Sequence, residues 1–387
     1  MDPETLRAAI PACDECAYLN TGASGPAPRR VVEAVCETQR RHEFDACAVD
    51  HYERAADVEA AARDAVAAHL GCRPDDVALV ASTGDGISRV ANAIDWRPGD
   101  VVVRTDLEHP SGVLPWRRLR EDGVEVRTVA CPDGRLPIDD YREALEGARL
   151  ACLSSESWLH GTRLPVAEAV AEAHDAGALV VVDAVQTVGQ HPVDVRAWEA
   201  DAVCASGHKW LLGPWGAGFL YVSPDSREAF RPRHVGYRSA ADPTGDEPTG
   251  DGLTGDDATG GDATGNDPTA FGYHPGARRF EVSTTAVAPF AGLTEGLEIL
   301  EEIGLHTVEA HVERLTDRLK EGLGGRLRSP RPYESGLVAF EVDDADSFVE
   351  RAAAAGVAVR SVPVGWVRAS VHVFNTEEDV DSLLELL

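Results

Sequence analysis

The chain has 387 residues with 43% hydrophobic side chains, and 66 acidic against 36 basic residues give it a formal charge of −30. This composition excludes global disorder, and the negative charge argues against nucleic acid and anionic membranes as partners. Because no apolar run reaches the roughly 20 residues that span a bilayer, and the acidic N-terminus lacks the basic start of a signal peptide, we expect a cytoplasmic protein.

Short apolar runs alternate with amphipathic helical patterns in the first part of the chain. Such runs predict buried strands, and the patterns between them predict helices. The predicted strands are Val77–Ala81, Asp100–Arg104, Val124–Ala130, Arg149–Ser154, Ala178–Asp183, Asp201–Ala205 and Gly218–Val222. This alternation indicates a mostly parallel sheet covered by helices on both faces, in which ligands bind outside the carboxyl ends of the strands.

Residues 239–272 differ in composition from the rest of the chain, because they repeat a Thr-Gly unit with acidic residues and contain no base. Such a segment cannot bury enough apolar surface to offset its ordering entropy, so we interpret it as an acidic surface insertion. After it, long helical patterns lead into a compact unit. Its predicted strands lie at 336–342, Val357–Ser361 and Val367–Val373, and its last helix starts at Thr376.

The most informative segment follows the strand at Asp201–Ala205 and reads Ser-Gly-His-Lys, ending at Lys209. Lys209 and Lys320 are the only lysines in the sequence. So few lysines in a strongly acidic chain indicate adaptation to a salt-rich cytoplasm. A lysine retained in a loop after a strand therefore indicates chemistry. Asp183 ends another buried strand, where a carboxylate needs a charged partner or hydrogen bonds, and Gln186 follows three residues later.

These residue types meet the requirements of pyridoxal phosphate (PLP). A lysine amine forms the Schiff base with the cofactor aldehyde, and a carboxylate keeps the ring nitrogen protonated, so that the ring accepts electrons. The phosphate needs backbone N–H groups at a helix N-terminus. The Ser-Thr-Gly-Asp-Gly run after Val77–Ala81 offers such groups, with Thr83 and Gly84 foremost.

Motifs from Tyr18 to the C-terminus resemble the class V aminotransferases, which are PLP enzymes of fold type I. The motifs are STGDG, Glu108-His109-Pro110, VVVDAVQ, SGHKWLLGPWGAGFLY, RRFEVSTT and VRASVHVFNTEEDVD. The family includes cysteine desulfurases, selenocysteine lyases, kynureninases and isopenicillin N epimerase-like proteins.

The resemblance implies an α/β fold with a large domain, whose mostly parallel sheet lies between helices, and a smaller C-terminal α/β domain. Residues 1–28 are then an N-terminal arm that is part of the small domain. Residues 29–285 form the large PLP-binding domain with the acidic insertion. Residues 286–387 supply connecting helices and the small domain.

The resemblance also implies a role for each matching residue around the cofactor ring. Lys209 forms the Schiff base and later moves the proton at the substrate Cα, and Asp183 pairs with the pyridinium nitrogen. Gln186 reaches the phenolic oxygen of the cofactor. His109 lies flat over the ring, and Arg368 binds the carboxylate of an amino-acid substrate.

Other matching residues belong to the phosphate side of the site. These residues are Thr83, Gly84, Ser206 and His208. Thr284 matches a threonine that reaches the phosphate of the neighbouring subunit, which implies a homodimer with shared sites. No metal ligands are expected.

Two positions depart from the family pattern. Desulfurases of the family carry a nucleophilic cysteine on the loop before the arginine matched by Arg368, but residues 361–367 contain none and no cysteine follows Cys204. Persulfide chemistry needs a thiolate placed over the substrate sulfur. The second departure is Trp158, which stands where the family commonly has an asparagine and cannot accept a hydrogen bond through its side chain.

We therefore expect a PLP enzyme that acts at the Cα of an amino acid by amino transfer or β-elimination of the C–S lyase type, without a cysteine persulfide. Two further activities on the same fold stay open. They are cysteine desulfurase or selenocysteine lyase, and amino-acid epimerase. An alternative of another class is a catalytically inactive scaffold with this fold.

Overall fold

The computed structural model describes residues 1–45, 47, 50–243 and 271–387, so most of the predicted insertion at 239–272 lies outside the described residues. The helices of the described part are α1 (Pro3–Ala8), α2 (Ala12–Glu15), α3 (Arg29–Phe44), α4 (His51–Leu70), α5 (Thr83–Ala91), α6 (Leu114–Leu119), α7 (Ile138–Ala144), α8 (Val166–Asp175), α9 (Ala288–Ile303), α10 (Leu305–Leu323), α11 (Ala345–Ala354) and α12 (Glu377–Leu384). The strands are β1 (Ala17–Tyr18), β2 (Val77–Val80), β3 (Val101–Thr105), β4 (Glu125–Val129), β5 (Ala148–Ser154), β6 (Leu179–Asp183), β7 (Ala202–Ser206), β8 (Gly218–Val222), β9 (Leu337–Phe340), β10 (Val357–Ala358), β11 (Arg360–Val362) and β12 (Trp366–Ser370).

The main sheet joins seven strands in the order β2-β8-β7-β6-β5-β3-β4. Strands β3 to β7 run parallel, whereas β8 is antiparallel to both of its neighbours. Every residue of β2, β7 and β8 is buried, as expected for strands covered by helices on both faces. The predicted mostly parallel sheet between helices is confirmed, and each of its strands lies within one residue of the predicted bounds.

Two long helices, α3 and α4, occupy a region for which the sequence analysis predicts no element. The buried face of α4 includes three alanines and two charged residues, Glu59 and Arg63, so its apolar periodicity is weak. Asp50 caps this helix by accepting the backbone N–H groups of Tyr52 and Glu53. Both helices pack against α9, which joins the start of the chain to its C-terminal half.

A three-stranded antiparallel sheet, in the order β11-β12-β9, lies in the C-terminal part of the chain. The prediction of one strand at Val357–Ser361 is wrong. β10 pairs in parallel with β1 of the N-terminal arm, and β11 pairs with β12. The apolar pattern predicts extended backbone here, but it does not say that the chain changes partner at Val359.

The N-terminal arm, residues 1–28, is held against this C-terminal sheet. The Leu19 amide donates to the carbonyl of Ala358, and the Ser370 amide donates to the carbonyl of Leu19. This pairing carries the residues after Leu19 to the end of β12, beside Arg368. Within the described residues, no helix combines the length and the apolarity that crossing a membrane requires.

Candidate active site

The predicted cofactor residues follow neighbouring strands of the main sheet. Asp183 is the last residue of β6 and Lys209 comes three residues after β7, its neighbour. His109 follows β3, and Thr83 follows β2 and opens α5. Because these strands all point in one direction, their carboxyl ends meet at one edge of the sheet, so the structure brings these four side chains together.

Lys209 is half-buried beside the buried Asp183, and each perturbs the pKa of the other. The pKa of Lys209 is lowered to about 8, chiefly by desolvation and also by the charges of Arg368 and Arg360, while the charge of Asp183 opposes the shift. Burial likewise raises the pKa of Asp183, against the hydrogen bond from the Val185 amide and the charge of Lys209. A lysine with this pKa exchanges its proton near neutral pH, as an acid–base or nucleophilic amine requires.

The N-terminus of α5 meets the end of β7 at a pair of hydroxyl groups. The Thr83 amide donates to Ser206 Oγ at 2.7 Å, and the two side-chain oxygens also lie 2.7 Å apart. A Cβ on Gly84 would lie 3.3 Å from Ser111 Oγ, so glycine keeps the first turn of the helix open. Helix N–H groups with adjacent hydroxyls suit a phosphate, as predicted for these residues.

His208 and Thr284, the other two residues predicted to face phosphates, differ in their surroundings. The His208 ring stacks on the exposed Trp215 at 4.7 Å, and burial with the charge of Lys209 lowers its pKa to about 4. It is therefore neutral at pH 7. Thr284 is exposed, and its hydroxyl hydrogen-bonds to the Tyr237 hydroxyl at 3.2 Å. An outward position suits a residue that serves a neighbouring subunit, which stays a prediction.

Gln186 is buried between two polar groups. Its amide nitrogen donates to the carbonyl of Gly22 at 2.9 Å, and its amide oxygen accepts the indole N–H of Trp210 at 2.8 Å. The contact with Gly22 joins the N-terminal arm to the loop after β6. One N–H of the amide remains for a further acceptor, which fits the predicted contact with the cofactor.

Arg368 is almost completely buried on β12. Its Nη1 donates to the carbonyl of Trp158 at 2.8 Å, whereas Nε and Nη2 are buried and have no partner among the described residues. Burial and the nearby Arg360 charge lower its pKa to about 9. A buried guanidinium with two free donors is arranged for a carboxylate that binds through both oxygens.

Arg360 also belongs to this site and is missing from the sequence prediction. It lies opposite Arg368 in the antiparallel pair of β11 and β12, and its charge lowers the pKa of His109 and Lys209. A signal existed in the sequence. A tight turn at Pro363-Val364-Gly365 pairs residues symmetrically about its centre, which places position 360 against 368.

Glu108 is a second missing residue, although its motif carries the resemblance. Its carboxyl group accepts hydrogen bonds from the Thr105 hydroxyl and from the amide and hydroxyl of Ser154. Burial raises its pKa to about 7, helped by the charge of Asp183 and opposed by these hydrogen bonds. Glu108 thus ties the loop that carries His109 to β5.

His109 and Trp158 pack edge to face, with ring centroids 5.4 Å apart. The pKa of His109 is lowered to about 4 by burial and by the charges of Lys209, Arg360 and Arg368, so the ring is neutral at pH 7. Trp158 therefore contacts the predicted ring-stacking residue with its side chain and Arg368 with its carbonyl group. At the position where the family commonly has an asparagine, this chain thus has an aromatic side chain that packs on His109.

The loop that matches the cysteine loop of desulfurases is a tight hairpin. The amide of Gly365 donates to the carbonyl of Val362 at 2.9 Å, and Gly365 has a φ of +81°. Elsewhere, Cys13, Cys131, Cys152 and Cys204 are buried. Burial raises the pKa of the Cys131 thiol to about 12 and that of Cys204 well above its usual value. Such thiols are poor nucleophiles.

The arrangement fits PLP on observations of this structure alone. A half-buried lysine neighbours a buried carboxylate, and an open helix N-terminus meets two hydroxyl groups. The buried Arg368 also keeps donors that have no partner in the described part of the chain. Asp183, Lys209 and the start of α5 would hold the cofactor. Together with a seven-stranded, mostly parallel sheet and a smaller C-terminal sheet, this site defines a PLP-dependent enzyme of fold type I.

Comparisons with known proteins agree with this class. The sequence model of the aminotransferase class-V family matches residues 17–383. A probable cysteine desulfurase of Methanothermobacter thermautotrophicus is 31% identical over 100% of this chain and 98% of its own length. A cysteine desulfurase of an Enterobacter species is 30% identical over 95% of this chain and 91% of its own.

A solved structure gives the same result. The cysteine desulfurase from Thermococcus onnurineus matches with a TM-score of 0.85 and 27% identity, over 100% of this chain and 97% of that one. The chain therefore belongs to the class V aminotransferase family, and it is a PLP-dependent enzyme. The class, the fold and the cofactor predicted from the sequence are confirmed.

Proposed function

We propose that this enzyme acts at the Cα of a sulfur-bearing amino acid, by β-elimination of the C–S lyase type or by amino transfer, without a persulfide on the protein. The observation that carries the proposal is the tight hairpin between β11 and β12, which has no cysteine. The relatives are named as cysteine desulfurases, which supports sulfur-bearing amino acids as the substrate class.

Substrate orientation is the task of Arg368. Its Nε and Nη2 bind the two oxygens of the substrate carboxylate, while Nη1 stays on the carbonyl of Trp158. Arg360 adds a second positive charge across the strand pair, which favours a substrate with a further anionic group. The rings of Trp158 and His109 form an aromatic wall beside this substrate position.

Proton transfer at the substrate Cα is the task of Lys209. The bound cofactor supplies an electron sink for the negative charge that develops on this carbon. With a pKa near 8, the Nζ amine takes the Cα proton as a base and returns it as an acid. In elimination the bond from Cβ to sulfur breaks and a thiol leaves. The released enamine takes up water and yields pyruvate and ammonia.

The decisive experiment identifies the carbon product formed from L-cysteine, L-cystine and thioether amino acids in high salt. Elimination gives pyruvate, amino transfer gives a keto acid that keeps its sulfur, and a desulfurase gives alanine. We expect pyruvate or the keto acid from the wild-type enzyme. Substitution of both exposed cysteines, Cys36→Ser with Cys47→Ser, leaves that product and its rate unchanged.

Cysteine desulfurase activity is the alternative that the named relatives favour. It is supported if alanine is formed and if alkylation of the enzyme, or the double cysteine variant, abolishes its formation. Epimerisation on the same fold would instead exchange the Cα proton with solvent and release no sulfur. An inactive scaffold would turn over none of these amino acids although it binds PLP and absorbs visible light.

We further propose that the enzyme works as a homodimer in a salt-rich cytoplasm. The outward position of Thr284 and the family's use of this residue support shared sites, and the net charge of −30 with only two lysines supports salt adaptation. Sedimentation in high KCl tests the dimer. A fully active monomer that retains PLP would contradict it, and a Thr284→Val dimer with unchanged PLP affinity would contradict the shared phosphate contact.

A further inference from the structure

The indole of Trp210 determines how the amide of Gln186 is oriented. Trp210 is fully buried, and its Nε1–H, which only donates, lies 2.8 Å from Gln186 Oε1. On the other side, Gln186 Nε2 donates to the carbonyl of Gly22 at 2.9 Å. A flipped amide would bring two donors together at Trp210 and two acceptors together at Gly22. The structure therefore fixes the amide nitrogen, with one free N–H, away from the indole.

Trp210 is itself held from two sides. The His372 ring donates from Nε2 to the Trp210 carbonyl at 3.1 Å and packs edge to face on the indole at 5.3 Å. Since burial lowers the pKa of His372 to about 3, the ring is neutral and its hydrogen lies on Nε2, where the carbonyl accepts it. A Cβ on Gly189 would lie 2.4 Å from the same carbonyl oxygen, so only glycine permits this approach.

We propose that Trp210 is a positioning residue that keeps an N–H of Gln186, rather than its oxygen, available to the phenolic oxygen of PLP. The proposal rests on the predicted contact of Gln186 with that oxygen. A donor stabilises a phenolic oxygen in its charged form, whereas an amide oxygen in the same place repels it. Trp210 directly follows Lys209, so the residue that orients Gln186 is joined to the residue that binds the cofactor.

The experiment titrates the visible absorbance of the PLP-loaded enzyme with pH. Trp210→Phe keeps an aromatic ring but removes the N–H. We expect the pH midpoint of the absorbance change to rise by about one unit, because one hydrogen bond to a charged group is lost. Trp116→Phe is the matched control, because Trp116 is equally buried but packs against Trp96. Its midpoint stays at the wild-type value.

A second variant covers the case in which Trp210→Phe does not fold. Gln186→Glu keeps an acceptor for the indole and replaces the free N–H by an oxygen, so the midpoint rises at least as far as in Trp210→Phe. An unchanged midpoint in Gln186→Glu, or equal midpoints in the Trp210→Phe and Trp116→Phe enzymes, would overturn the inference. A wild-type enzyme without amino-acid turnover but with these shifts would overturn the proposed function and leave the inference standing.

Discussion

Arg360 lies directly opposite Arg368 in the antiparallel pair of β11 and β12. Like charges in this arrangement repel each other, and the pKa of Arg368 is lowered chiefly by burial and also by this repulsion. Two further observations point to an anion here, since the charge of Arg360 acts on Lys209 as well and, within the described ranges of the chain, the Nε and Nη2 of Arg368 have no partner. The pair destabilises the free enzyme locally and favours a bound carboxylate.

Arg368 is the residue on which carboxylate binding depends most. Arg368→Lys removes the paired donors but keeps a charge, and we expect KM to rise by roughly 10- to 100-fold, since one charge-assisted hydrogen bond contributes about 1.5–3 kcal/mol. Steady-state kinetics over a wide substrate range measures this. Arg360→Gln is the companion variant, and it weakens binding more for a substrate with a second anionic group than for one without. An unchanged KM in Arg368→Lys would place the substrate carboxylate elsewhere.

Lys209 is the predicted attachment point of PLP, and Lys320 provides its control. Lys320 is buried, and its Nζ donates to the carbonyl of Pro332. Borohydride reduction of the holoenzyme therefore adds the cofactor mass to the peptide that contains Lys209. Lys209→Ala loses turnover by several orders of magnitude, whereas Lys320→Arg retains it. Label on the Lys320 peptide, or turnover by Lys209→Ala, would contradict the assignment.

Glu108 gives the free energy of unfolding a defined dependence on pH. Its pKa is raised from 4.5 to about 7, so between these values the folded protein binds more protons than the unfolded chain, and stability falls as pH rises. Glu108→Gln keeps the shape and removes the titration. The difference in unfolding free energy between variant and wild type should therefore change by up to about 3 kcal/mol across this window. Denaturant titrations at fixed salt measure it, and a constant difference would mean that Glu108 is ionised throughout.

The main sheet, and the candidate cofactor residues that it brings to one edge, could be predicted from the sequence because both depend on local patterns. Apolar runs predict the strands. Lys209, retained in a chain with few lysines, and Asp183, at the end of a buried strand, indicate cofactor chemistry because few other roles require such residues there. Arg360 does not stand out from such local patterns, since its importance depends on its partner across a strand pair, and only the turn at residues 363–365 indicates that pairing. The role of Trp210 was equally hidden, because the position of Gln186 relative to its indole is a tertiary contact.

The acidic insertion should be dispensable for the chemistry of the site. Where its two ends meet, the Ala241 amide donates to the carbonyl of Gly272 at 2.9 Å, and Ala240 forms an antiparallel bridge with Tyr273. The chain therefore leaves and re-enters the fold at one place, and about four Gly/Ser residues, a common hairpin length, can join the two ends. Replacing residues 244–270 in this way removes seven acidic residues and no base.

We expect unchanged PLP affinity and kcat, measured by absorbance titration and product formation in high salt. A Gly/Ser replacement of equal length serves as the control that separates charge from length, and loss of PLP from both variants would show that these residues support the cofactor site.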